Sequence, residues 1–111
     1  MWDNKSQETD YSFPNSHLRQ FKRYIRDSEE RVSCFLVIVP EVMSVAEENA
    51  VRLKFESGSD TDVSIITAED LRYVAETWRQ KSGDKRFNAE ILNVTGILTR
   101  RVIDQRMKLL A

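Results

Sequence analysis

One cysteine, three glycines and two prolines are all that the 111 residues contain, and each scarcity removes a class of protein. A lone thiol, Cys34, cannot build an internal disulfide framework, so a hydrophobic core must hold the scaffold. Its place beside an apolar run reads as a reduced, buried structural thiol. So little glycine and proline excludes collagen-like, low-complexity and linker-like chains. The longest apolar run, residues 35–40, is far short of the roughly 20 residues that a membrane-crossing helix needs. No basic-then-apolar segment opens the chain, so neither secretion nor a membrane is expected, and the chain reads as cytoplasmic.

What is present describes one ordinary globular domain over residues 1–111. Hydrophobic residues make up 41% and charged residues 32%, too apolar a mixture for a disordered chain. The net charge of −1 conceals a polarity: residues 32–70 carry 2 basic and 8 acidic groups, and residues 71–111 carry 9 basic and 4 acidic. Arg100, Arg101, Arg106 and Lys108 in the tail could face a phosphate backbone. The plainer alternative is a solvated helix face.

Residues 1–6 read as the end of a strand, followed by a polar loop to residue 15. Asn15 and Ser16 suit a helix cap, and Leu18, Phe21 and Ile25 follow at helical spacing. Residues 32–39 are a continuous apolar, β-branched strand, and unbroken apolarity predicts burial on both faces. A second helix is expected over about residues 43–57, with Ala46, Ala50 and Leu53 inward. A short strand follows at 62–66. Thr67 then opens a third helix with Leu71, Val74, Ala75 and Trp78 inward, an oxygen cap with an acid three residues on. Residues 87–96 are ambiguous, and a last amphipathic helix is expected from about Ile97 to Leu110. The expected class is α/β, with a central mixed sheet of about three strands flanked by about four helices.

Asp3-Asn4-Lys5 is the one acid-x-lysine triplet in the chain. On a strand, positions three and five project from the same face. Metal-assisted phosphodiester cleavage uses that pairing: a carboxylate binds Mg²⁺, and a nearby ammonium orients the attacking water and steadies charge on the phosphorane. Gln20 and Tyr24 lie four apart on the next helix, hence on one face. The triplet alone is equally a commonplace strand end. His17 reads as an exposed helix-end residue rather than a base, and the tryptophans read as core.

A Gln-xxx-Tyr pair after the acid-x-lysine strand resembles the motif of RecB-type nucleases. The order of features is more similar to the FokI-type cleavage domain of the PD-(D/E)xK, restriction-endonuclease-like superfamily. Asp-x-Lys comes first, then a loop with Tyr11-x-Phe13-Pro14, a helix bearing Arg23-Tyr24, and an apolar strand at 32–39. Farther on, Ile65-Ile66-Thr67-x-Glu69-Asp70-Leu71 resembles the strand and acidic helix start that close that domain. The resemblance implies a partial restriction-endonuclease-like fold and a Mg²⁺-dependent endonuclease of restriction type. Carried across, Asp3 is the metal-binding carboxylate, Asn4 lends its main-chain carbonyl to the metal, and Lys5 is the catalytic lysine with Gln20 beside it. Double-stranded DNA is the implied partner, met by Tyr24, Arg100 and Arg101. Arg19 stands where the family has an acid facing the arginine matched by Arg23, which argues against the family's reciprocal dimer contact.

The family's first acid has no counterpart, so the chain is expected to be the C-terminal part of a nuclease domain, inactive alone. A strand so short before Asp3 also implies a free sheet edge, open to a complementing chain or to self-association. The alternative is a non-catalytic DNA-binding or protein-interaction module on the same scaffold. The geometric expectation is specific: Asp3 and Lys5 share a side at the carboxyl end of a strand beside residues 32–39, facing Gln20.

Overall fold

The fold is taken from a computed structural model that describes residues 1–111. In chain order the elements are β1 (Trp2–Asn4), α1 (Asn15–Asp27), β2 (Cys34–Val39), α2 (Ala46–Glu56), β3 (Asp62–Thr67) and α3 (Ala68–Ser82). A short 3-10 turn, Ala89–Leu92, then leads into β4 (Gly96–Ile97) and α4 (Arg100–Leu110). No helix is long and apolar enough to cross a membrane.

The apolar run of β2 takes the middle of a four-stranded sheet ordered β1-β2-β3-β4. Its alternate residues serve two cores. Phe35, Val37 and Val39 join Val63 and Ile65 of β3 beneath α1 and α2, through Leu18, Phe21, Ala46, Ala50 and Leu53. Leu36 and Ile38 join Ile66 on the other face with Val74, Trp78, Ile91, Ile103 and Met107. Helices on both faces thus account for the unbroken apolarity of the strand. Each face of β2 buries what the period-2 pleat sends to it.

The α/β class and the four helices are as expected, but the sheet is not. It has four strands rather than about three, and all three pairings are parallel rather than mixed. The additional strand, β4, joins Gly96, from a segment whose pattern is ambiguous, to Ile97, where the sequence predicts the last helix. Two residues are too few to display an alternating pattern. Its place is set by long-range bonds instead: Leu98 N donates to Ile65 O at 2.8 Å, and Val63 N donates to Thr95 Oγ1 at 3.2 Å. The last helix accordingly begins at Arg100, where Thr99 Oγ1 accepts from Val102 N.

The helix starts follow the sequence pattern only in part. Thr67 caps α3 as its spacing suggests, accepting from Asp70 N at 3.1 Å. Asn15 and Ser16 do not cap α1, which begins at Asn15 after an extended Pro14 and has no side-chain cap. Asn15 Oδ1 instead accepts from Asn49 Nδ2 of α2 at 3.0 Å. The second helix starts at Ala46, later than expected, and β2 starts at Cys34 rather than Val32. Cys34 is half-buried, with its thiol 3.4 Å from Ser64 Oγ, and burial pushes its pKa up, away from thiolate reactivity.

Candidate active site

Parallel pairing puts the carboxyl ends of all four strands at one end of the sheet, the usual place for ligands in open α/β sheets. β1 is an edge strand there, registered Trp2 to Leu36, Asp3 to Val37 and Asn4 to Ile38. Asp3 therefore faces the α1 side of the sheet. Lys5 N continues the ladder, donating to Ile38 O at 2.8 Å, and its side chain returns to the same side.

There the ammonium of Lys5 joins three groups. Nζ lies 3.3 Å from Asp3 Oδ2, donates to Gln20 Oε1 at 3.2 Å, and stands 5.6 Å from the centre of the Phe21 ring. Gln20 Nε2 in turn donates to the Tyr24 hydroxyl at 2.8 Å. Helical spacing aligns Gln20 with Tyr24, and burial of Phe21 and Leu18 turns that face toward β1. Asp3, Lys5, Gln20 and Tyr24 thus form one connected chain of side chains. Asn4 stands apart, its side chain exposed on the opposite face. Met1 and Lys5 bond to β2, so the alternation of a parallel ladder turns the backbone of Asn4 toward the free edge.

The sequence undervalued two residues, Tyr11 and His17. Tyr11 is almost fully buried, and its backbone lies opposite Val42, with N donating to Glu41 O at 3.0 Å and O accepting from Met43 N at 2.8 Å. The ring stacks on His17 at 5.5 Å and 19°, and its hydroxyl pairs with His17 Nδ1 at 2.9 Å. The loop between is bent by Phe13, a buried aromatic at φ +58° whose carbonyl accepts from Asn49 Nδ2 at 2.7 Å. No local pattern announces such a turn, because the compensating contact comes from α2. Burial raises the Tyr11 pKa, reinforced by Asp3 and Glu8, so its phenol stays protonated.

Burial, then the positive charge of Lys5, lowers the His17 pKa from 6.5, while Glu8 and Asp3 oppose the shift. The unfolded chain then binds the proton more readily than the folded one, so acidification costs stability. That loss starts as pH falls below 6.5 and is complete below the folded value. His17 is the single histidine, so its ring protons can be followed in NMR without ambiguity. The titration midpoint is expected below 6.5 and should rise in Lys5→Met. A midpoint unmoved by that substitution shows that Lys5 does not face the ring.

Arg100 and Arg101 lie at the same end of the sheet but after β4, three strands away, or about 14 Å at ordinary strand spacing. The Arg100 guanidinium pairs with Asp70 at 3.0 Å and Glu69 at 3.5 Å, over the ring of Tyr73 at 4.6 Å. Arg101 is exposed and makes no ion pair.

No family model, curated protein or solved structure matches this chain. Its chemistry rests on the geometry.

That geometry does not by itself fit Mg²⁺. Asp3 is the one carboxylate bonded to the Lys5 chain, and nowhere do three histidine, cysteine or acidic side chains converge as a metal site. A hard cation needs several oxygen ligands, so one carboxylate paired with an ammonium is insufficient.

Proposed function

We propose that residues 1–111 carry the Asp-x-Lys half of a Mg²⁺-dependent phosphodiesterase site of restriction-endonuclease type, acting on double-stranded DNA. The observation that supports this reading is the Lys5 ammonium, shared between Asp3 and Gln20 at the carboxyl end of an edge strand. A metal held with further oxygen ligands from a complementing chain would supply Lewis-acid activation; Asp3 and the Asn4 carbonyl are the groups of this chain that would hold it. Lys5 orients the attacking water and steadies charge on the phosphorane, Gln20 fixes the lysine, and Tyr24 fixes Gln20. The reading requires a second acid, which a strand added to the open side of β1 could supply. Trp2, 72% exposed, and Met1, 48% exposed, border that edge, and an added strand or second copy would cover them.

The test is cleavage of supercoiled plasmid in Mg²⁺ or Mn²⁺. The chain alone is expected to be inactive. Complemented by a chain that adds an acid-bearing strand at the β1 edge, it should cleave, with a loss of at least about 100-fold in Lys5→Ala. Cleavage that is indifferent to both Lys5→Ala and Asp3→Ala sinks the proposal. The lone carboxylate also favours a second reading, a non-catalytic DNA-binding or protein-interaction module on the same scaffold. Binding without cleavage in the complemented form selects it.

A further inference from the structure

We infer that the outward face of α1 is a phosphate-binding surface, on which Arg19 and Arg23 hold the backbone of double-stranded DNA beside the Lys5 chain. The inference rests on the DNA partner proposed above, though not on cleavage.

Charge is concentrated on α1. Its thirteen residues carry four basic groups and one acid, Asp27, a net +3 in a chain whose net charge is −1. Most nearby cations are already matched. Lys22 and Arg52 share Glu56, Arg26 pairs with Asp27, and Lys5 pairs with Asp3. Arg19 and Arg23 are exposed and form no ion pair. Like charges at this spacing lie on one helix face and weaken the helix, a cost that an anion laid across both removes. Guanidinium groups suit phosphate oxygens because they can donate two parallel hydrogen bonds. The two arginines also flank Gln20, one residue before it and three after, so a phosphate held there lies next to the Lys5 chain. Arg100, by contrast, is already occupied by two carboxylates.

The experiment measures anisotropy of a fluorescein-labelled, mixed-sequence duplex with the full chain, between roughly 50 and 200 mM salt. Arg19→Glu/Arg23→Glu should weaken binding at the low end by about tenfold or more and flatten the logarithmic salt slope by about 2. Arg19→Lys/Arg23→Lys should keep the salt slope and lose less affinity than the charge reversal, since the charge stays and the paired hydrogen bonds go; circular dichroism checks that each variant is folded. Reversing Arg79 and Lys81 on α3, across the sheet, should change little. Equal losses from the α1 and α3 reversals, or no duplex binding by the native chain, overturn the inference. Labelled polyglutamate is the second arm. If it binds as tightly and with the same dependence on Arg19 and Arg23, the face suits an acidic protein, and the DNA assignment fails. The catalytic reading is tested separately: absence of Lys5-dependent cleavage leaves this duplex affinity in place.

Discussion

Phe21→Ala is expected to lower the stability of the protein by about 3–5 kcal/mol, a large share of the 5–15 kcal/mol available to a domain. The ring is fully buried and lies at the meeting point of β1, β2 and the Tyr11 loop. It packs on Phe35 at 4.7 Å, on Phe13 edge-on at 5.6 Å, and on His17 at 5.8 Å. Removing it leaves a cavity bounded by elements that are pinned by other contacts and cannot close over it. Phe55, 68% exposed on α2, provides the comparison, and Phe55→Ala should stay within about 0.5 kcal/mol. Urea midpoints at constant slope measure both. The ring is also the surface against which Lys5 rests, so Phe21→Leu, which keeps most of the volume, should still move the His17 titration. Equal midpoints for the two alanine variants would show that the α1 face is not packed as described.

Gly96→Ala should cost about 2–4 kcal/mol, combining backbone strain of about 1–3 with about 1 for a displaced hydrogen bond. Gly96 sits in β4 at φ +116°, a conformation that L residues rarely adopt. A Cβ there would run into the Glu47 carboxylate, with Glu47 Cδ at 3.2 Å and Cγ at 3.3 Å. That carboxylate accepts from Ile97 N at 3.2 Å and so ties α2 to the shortest strand. Displacing it loosens β4, which leads into Thr99 and α4. Denaturation of Gly96→Ala, Glu47→Ala and the double variant separates the causes. If the collision matters, the two losses are less than additive; strict additivity leaves only the backbone strain.

Much of the fold was legible because burial writes itself into local pattern. The run at 32–39 announced a strand covered on both faces, which forms over 34–39, and Thr67 with Asp70 announced a helix start that the backbone then used. The Asp3–Lys5 pair was legible for a simpler reason. Two residues apart on a strand must share a face, whatever the strand pairs with. Gln20 and Tyr24 followed from helical spacing in the same way.

What local pattern could not carry was anything held by a distant residue. β4 is a strand because Ile65 O and Val63 N of β3 bond to Leu98 N and Thr95 Oγ1 beside it, and its own two residues hold no alternation. Tyr11 and His17 meet across a loop whose bend at Phe13 depends on Asn49, thirty-six residues away. The freedom of Arg19 and Arg23, against the capture of Arg100 by Glu69 and Asp70, was likewise decided between elements. Sequence alone determined which residue types share a face within an element, since covalent geometry sets those periods. Only the tertiary structure decided which charges are neutralised and which remain unpaired, because ion pairing depends on distances between elements that no local period encodes.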